Sequence, residues 1–328
     1  MLFSVLSKKL HLPERPENLR LTKVLRTVYL PIALERFRLL KIIKSMGDHI
    51  KGAGPGKVTT IVVGMFPLLA LTLDPVQQLP QDTIAARQAE SAPNQIRTVV
   101  LDAGHGGKDP GCIGRRTRES RVVLKIALAL GRRIKAEMPS MRVIYTRASD
   151  RFIELSERSA IANRNRADLF ISIHCNASPS SSRVYGTETY TMGLHKTEGN
   201  LDVAKRENAV ILKEDNYQQT YKGFNPNSPL AHIMLANYQH AFMGSSINFA
   251  EKVERSFRRN ADRTSRGVKQ AGFLVLWRTT MPSVLIETGY LTNPDEELFL
   301  MSEDGQAEIS NAIFLAFQQY KEEIESAN

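Results

Sequence analysis

The chain has 328 residues, and its net charge of +10 lies mainly in the first 57 residues, where twelve Lys or Arg accompany four Asp or Glu. Residues 98–328 carry only about +3, so electrostatics do not favour a nucleic-acid partner for that region. Its length of about 230 residues suits one domain with a sizeable core. We therefore expect a basic N-terminal appendage followed by one α/β domain.

The N-terminal region divides into three predicted parts. Residues 1–57 form a basic segment, in which residues 19–43 show the apolar spacing of an amphipathic helix that could lie on an anionic membrane. Residues 58–73 contain no charge, which is typical of a secretory signal or a signal anchor. Residues 74–96 have the composition of a flexible linker. We expect export to the periplasm or cell envelope, with membrane contact only through this N-terminal region.

The start of the basic segment is open to two interpretations. Translation from Met46 would give a conventional short basic leader before the apolar run, and residues 1–45 would then belong to an over-extended gene model. Alternatively, the segment is a genuine part of the protein.

Residues 97–328 alternate between strand-like and helix-like patterns. Strands are predicted over residues 96–103, 141–146, 169–174, 186–191, 272–277 and 284–287. Helices are predicted over residues 119–138, 155–166, 229–259 and 307–325. This alternation predicts an α/β fold, with a mostly parallel twisted sheet flanked by helices on both faces.

Two histidines follow apolar strand-like runs, at positions that favour a metal site. His105 lies after the first predicted strand, and His174 ends the strand over residues 169–174. Glu119 opens a predicted helix, and Glu287 closes a third apolar run. Catalytic zinc takes three nitrogen or oxygen ligands and leaves a fourth position for water. We predict that His105, Glu119 and His174 bind Zn²⁺, with Glu287 as the general acid/base.

Six ordered blocks resemble the zinc-dependent N-acetylmuramoyl-L-alanine amidases, cell-wall hydrolases of the division-associated type. They are Leu101–Gly111, Glu119, Leu155–Arg158 with Ala162–Asn163, Ser172–Asn176, Gly186–Tyr190 and Ile286–Asn293. The resemblance covers residues 97–322 and implies peptidoglycan as substrate, cleaved between N-acetylmuramic acid and L-alanine. The alternatives are a zinc hydrolase acting on another amide, such as a deacetylase, and a non-catalytic wall-binding module. The presence of all four site residues argues against the module.

An insertion of about residues 193–228 separates the fourth predicted strand from the next helix. Residues 200–212 are compatible with a helix, and Arg206, Glu207 and Asn208 match the core of a regulatory insertion in the division-associated amidases. The resemblance implies autoinhibition, with Glu207 as a candidate latch over the metal and an activator protein that moves the helix. An ordinary surface loop is the alternative.

Substrate contacts are harder to predict. Asn176 and Arg158 are candidates because both adjoin the predicted rim of the sheet, although polar side chains there could equally cap helices or turns. Cys112 and Cys175 are predicted to be two buried thiols, with a disulfide between them as the alternative in an oxidising periplasm. Because side chains alternate along a strand, Cys175 should face away from the metal if His174 faces it.

Overall fold

The computed structural model describes residues 95–236 and 241–327. The predictions for the basic segment, the apolar run over residues 58–73 and nearly all of the linker lie outside the described residues. Within the described ranges, no helix combines the length and the apolar character needed to cross a membrane.

The described region contains strands and helices in an alternating order. The strands are β1 (Thr98–Ala103), β2 (Arg142–Tyr145), β3 (Leu169–Asn176), β4 (Thr187–Met192), β5 (Ser265–Ala271) and β6 (Ser283–Tyr290). The helices are α1 (Glu119–Glu137), α2 (Leu155–Arg164), α3 (Glu198–Asn208), α4 (Tyr217–Thr220), α5 (Pro229–Ala236), α6 (Met243–Asn260), α7 (Leu274–Trp277), α8 (Pro294–Met301) and α9 (Glu303–Ser326). A 3₁₀ helix over Ala209–Lys213 continues α3.

The strands form one six-stranded sheet in the order β2-β1-β3-β6-β4-β5. The first four of these run parallel, β4 is antiparallel to β6, and β5 is parallel to β4. The carboxyl ends of β1, β3 and β6 therefore meet at one edge, which is where open α/β sheets place their binding sites. The predicted fold class, a mostly parallel sheet with helices around it, is confirmed.

Apolar side chains cover both faces of the sheet. Leu101, Ile173 and Ile286 belong to one buried cluster, to which α1, α6 and α9 contribute. The intervening side chains, such as Phe170 and Leu285, belong to a second cluster, which includes residues of α2, α3 and α7. This two-sided burial explains why β1, β3 and β6 are buried along their whole length.

Two element predictions were wrong. The segment predicted as a strand over residues 272–277 contains the single helical turn α7, and the strand β5 precedes it. A short apolar run is compatible with either structure, whereas the polar sequence of β5 reflects its place at the edge of the sheet. The helix predicted over residues 229–259 is instead α5 and α6, with residues 237–240 outside the described ranges.

Candidate metal centre

Four buried side chains meet at the carboxyl edge of the sheet, and we refer to them as the four-residue cluster. His105 follows β1, Glu119 is the first residue of α1, His174 lies in β3, and Glu207 comes from α3 in the insertion. One ligand atom from each residue lies within 4.8 Å of the others. The structure therefore places the three predicted metal ligands together with Glu207, the latch candidate of the sequence analysis.

The distances within the cluster are short. His105 Nε2 lies 3.2 Å from Glu119 Oε1 and 3.2 Å from Glu207 Oε2. His174 Nδ1 lies 3.1 Å from each of the same two oxygens. His105 Nε2, His174 Nδ1 and Glu207 Oε2 are buried and make no hydrogen bond. Because buried polar atoms are rarely unsatisfied, their convergence fits a bound cation.

The electrostatics of the cluster also favour a positive charge. Burial alone would lower the pKa of His174, but the carboxylates of Glu207 and Glu119 outweigh it and raise this pKa to about 9. Burial would likewise lower the pKa of His105, yet Glu119 and Glu207 raise it well above its usual value. The cluster therefore stabilises positive charge, and two imidazoles with two carboxylates form a donor set that could hold a metal ion.

Neighbouring groups fix the orientation of the cluster. Asp109 Oδ2 lies 2.6 Å from His105 Nδ1, so that Nε2 faces the cluster. The two oxygens of Glu119 accept the backbone N–H groups of Cys175 and Cys112 at 2.8 and 2.9 Å. A Cβ atom at Gly104 would lie 2.4 Å from the His174 ring, so only glycine fits there. Such outer contacts orient metal ligands in known metal sites.

Glu287 lies beside the cluster and is fully buried. It is the register partner of His174 on the neighbouring strand, so both side chains point to the same face of the sheet. Its Oε2 makes no hydrogen bond. Burial raises the pKa of Glu287 well above its usual value, the carboxylate of Glu207 adds to this effect, and Arg206 opposes it. A carboxyl group of this kind can exchange a proton near neutral pH.

Arg206 connects the insertion with Glu287. Its Nη2 lies 3.5 Å from Glu287 Oε1 and 3.0 Å from Asn176 Oδ1, while its Nε donates to Glu207 Oε1 at 3.1 Å. Helix α3 therefore brings two consecutive charged residues into the centre. Sequence patterns could not predict this contact with Glu287.

The sequence is similar to known proteins over most of the described region. The family model described as N-acetylmuramoyl-L-alanine amidase (Amidase_3) matches residues 99–319, which is about two thirds of the chain. The chain belongs to the N-acetylmuramoyl-L-alanine amidase family. The resemblance seen in the sequence is thereby confirmed, and the family consists of hydrolases.

Individual relatives of this amidase agree with the family match. N-acetylmuramoyl-L-alanine amidase AmiC of Escherichia coli O6:H1 is 32% identical over 270 residues, which cover 77% of this chain and 61% of that protein. AmiA of Escherichia coli K12 is 31% identical over 220 residues, covering 66% of this chain and 73% of that protein. The solved CwlD amidase from Clostridioides difficile, in complex with the GerS lipoprotein, is 26% identical with a TM-score of 0.50, covering 68% of this chain and 98% of that one.

The two substrate-contact candidates have different surroundings. Asn176 lies in the centre, where its side chain contacts Arg206 and Glu188. Arg158 does not fit a substrate contact, because its side chain is 1% exposed and donates to Asp102 and to backbone carbonyls. The prediction for Arg158 was wrong because the sequence does not show that an arginine near the rim points inward.

Two buried arginines hold the loop that carries His105. Arg158 donates to the carbonyls of Ala103 and His105, at 2.7 and 2.8 Å. Arg147 donates to those of Ala103 and Gly104, at 2.8 and 2.7 Å. His105 has a φ of 58°, a conformation that is strained for a residue with a side chain. These bonds stabilise that conformation, and no sequence motif pointed to Arg147.

Loss of the buried ion pair should destabilise the amidase strongly. Asp102 is fully buried and accepts Arg158 Nη1 at 2.8 Å. We expect Arg158→Ala to lower the free energy of unfolding by about 3–5 kcal/mol, because it leaves an unpaired buried carboxylate. Urea denaturation measures the effect. The matched control is Arg164→Ala, which removes an exposed ion pair with Glu157 and should leave the midpoint nearly unchanged.

Both cysteines of the amidase are free thiols. Cys175 is fully buried in the cluster with α1, α6 and α9, so it faces away from His174 as predicted. Cys112 is only partly buried, and its Sγ lies 3.1 Å from the Cys175 carbonyl oxygen.

Proposed function

We propose that this amidase is a zinc-dependent hydrolase that cleaves the amide bond between N-acetylmuramic acid and L-alanine in peptidoglycan. Its proposed role is cell-wall remodelling, including the separation of daughter cells. The observation that carries the proposal is the convergence of His105, Glu119 and His174 beside the buried carboxyl group of Glu287. The family match supplies the substrate class.

His105 Nε2, Glu119 Oε1 and His174 Nδ1 would hold the metal. A zinc ion bound there supplies Lewis acidity, which polarises a carbonyl group and makes water a better nucleophile near neutral pH. Asp109 keeps the His105 ring oriented, and the backbone N–H groups of Cys112 and Cys175 keep the Glu119 carboxylate oriented. These groups therefore organise the centre before substrate binds.

Glu287 is the proposed proton carrier. Its unbonded Oε2 is available to take a proton from the attacking water and pass it to the nitrogen of the leaving L-alanine. Burial is the main cause of the raised pKa of Glu287. A raised pKa suits a group that must both accept and release a proton. The water oxygen forms a bond to the carbonyl carbon of the amide, and the C–N bond breaks as its nitrogen becomes protonated. The products are a carboxylic acid on the N-acetylmuramic acid and the free amino group of L-alanine.

Metal removal tests the proposal. We expect the purified protein to bind one zinc ion and to release stem peptides with a free L-alanine amino terminus from peptidoglycan. Chelation should abolish release, and added zinc should restore it. His174→Ala should lose both zinc and activity, since the imidazole is one of three ligands. Metal content is measured by atomic absorption, and products by mass spectrometry.

The product identifies the reaction class. Release of acetate from the glycan would show a deacetylase instead, and cleavage of the glycan chain would contradict the amidase assignment. Full activity in the His174→Ala protein would contradict the metal site.

We also propose that the insertion inhibits the enzyme. Glu207 Oε2 lies within 3.2 Å of both histidine nitrogens, where it would occupy the position needed by water. In the same conformation, Arg206 Nη2 lies 3.5 Å from Glu287 Oε1, the carboxyl group of the proposed proton carrier. The amidase in this conformation would be inactive, and movement of α3 would open the centre.

An activator protein would move the insertion. The complex of the related CwlD amidase with the GerS lipoprotein supports the idea of a protein partner. In this chain α5 exposes Leu230, Ile233 and Met234. These side chains offer a partner an apolar surface on the segment that follows α3. Export through residues 58–73 would bring the amidase to the periplasm or cell envelope, where peptidoglycan lies.

A further inference from the structure

A row of polar side chains crosses the sheet from the proposed metal centre to the edge strand. Glu287 of β6 is the register partner of Glu188 in β4, so both side chains lie on the same face. Glu188 is only 2% exposed. Beyond it, on β5, Arg266 and Lys269 reach its carboxylate. The row therefore continues from the proton carrier to two cations at the edge of the sheet.

Glu188 is fully satisfied by its neighbours. Its Oε1 accepts Tyr290 OH at 2.6 Å, and lies 2.7 Å from both Arg266 Nε and Lys269 Nζ. Its Oε2 accepts Tyr190 OH at 2.7 Å. The single negative charge of Glu188 thus faces the two positive charges of Arg266 and Lys269. These three side chains together carry a net charge of +1. The side chains of Arg266 and Lys269 are 41% and 23% exposed, so this charge is open to solvent.

The cations are held in place. Arg266 lies over the Tyr290 ring and Lys269 over the Tyr190 ring, with centroid distances of 5.6 and 5.8 Å. Glu188 contacts Arg266 through Nε, so it does not use the terminal nitrogens that bind carboxylates. The entropy lost on binding an anion is smaller for such preorganised side chains than for free surface cations.

A bulge in β5 puts both cations on the same face. Between Thr187 and Thr189 of β4, the register advances by three residues in β5 rather than two. Gly267 has a φ of 86° at this point, and a Cβ atom there would meet nothing within 4 Å. Glycine is therefore favoured at position 267 by its positive φ and not by a steric clash with neighbouring atoms. Without the bulge, Arg266 and Lys269 would point to opposite faces, since side chains alternate along a strand.

We propose that Arg266 and Lys269 form a subsite for a carboxylate of the stem peptide, beyond the L-alanine at the scissile bond. This subsite deepens the proposed amidase function and rests on it. Neighbouring strands lie ~4.8 Å apart, so β5 is about 10 Å from the strand of Glu287. An extended peptide covers that distance in two to three residues. In the stem peptide, L-alanine is followed by a D-glutamyl residue with a free carboxylate, which matches the charge of the subsite.

Paired synthetic substrates test the subsite. One is an N-acetylmuramoyl tripeptide with free carboxylates, and the other is the same molecule with these carboxylates converted to amides. We expect the full-length protein, and its Glu207→Ala variant, to cleave the acid form with a kcat/KM about tenfold or more above that of the amide form. Arg266→Gln and Lys269→Gln should each reduce this ratio, mainly through KM, and the double variant should bring it close to one.

Matched controls separate the possible failures. Arg132→Gln removes an exposed positive charge from α1 and should keep the wild-type ratio. Thermal melts check that each variant is folded. If the double variant unfolds, the single variants still test the subsite, because each of them keeps one cation paired with Glu188. Equal cleavage of both substrates by the wild type, or an unchanged ratio in folded variants, overturns the subsite but leaves the amidase function standing. Failure to cleave either substrate overturns both.

Discussion

Replacement of Glu287 by Gln should abolish most turnover without loss of metal. The buried carboxyl group lies beside the four-residue cluster, and its Oε2 is free to exchange a proton. Glutamine keeps the size of the side chain but cannot carry the proton, so we expect kcat to fall on the order of a hundredfold or more. Zinc content should remain near one per chain. Turnover on purified peptidoglycan and metal analysis of the same preparation measure the two effects.

The matched control for this variant is Glu119→Gln. Glu119 Oε1 lies 3.2 Å from His105 Nε2 and 3.1 Å from His174 Nδ1, so loss of its charge should weaken metal binding itself. Added zinc should then partly restore activity in Glu119→Gln but not in Glu287→Gln. An equal loss of zinc in both proteins would show that Glu287 is a ligand rather than the proton carrier.

The sequence was sufficient to predict helices α1, α2 and α9, the central strands and the residues that converge at the centre. His105, His174 and Glu287 each stand near the carboxyl end of an apolar strand, and parallel strands bring such positions to one edge. Apolar runs buried on both faces give a strong pattern. Strand β5 has a polar sequence without such an apolar run, which is why it was missed.

The order of the antiparallel strands could not be predicted from local patterns. The contact between Glu188 and Glu287 requires β4 to lie beside β6, although almost one hundred residues separate the two. Burial of long polar side chains is equally invisible in the sequence. Arg158 and Arg147 look like ordinary surface residues, yet both are almost completely buried beneath the His105 loop.

Release of the insertion from the centre should raise basal activity. Asn208 is one of the residues that hold the insertion in place. Asn208 at the end of α3 is 1% exposed. Its Oδ1 accepts the Leu274 N–H at 2.8 Å, and its Nδ2 donates to the Gly272 carbonyl at 2.7 Å. These bonds anchor the helix to the segment after β5. Val210, Ile211 and Tyr221 of the insertion belong to the apolar core, so deletion of residues 198–225 would also expose core surface.

Point variants therefore test the latch better than deletion. Asn208→Ala leaves the Leu274 N–H and the Gly272 carbonyl without these hydrogen bonds only while α3 is docked. Because this destabilises the docked state by about 1–3 kcal/mol, the equilibrium shifts toward released α3 by about fivefold to a hundredfold. We expect basal turnover of peptidoglycan to rise accordingly. Glu207→Ala should raise basal turnover as well, because it removes the carboxylate that lies among the proposed ligands.

Asp202→Ala, on the exposed side of the same helix, is the matched control and should leave basal turnover unchanged. Zinc content should stay constant in all three proteins, since His105, Glu119 and His174 are untouched. Unchanged turnover in folded Asn208→Ala and Glu207→Ala proteins would reduce the insertion to an ordinary surface segment.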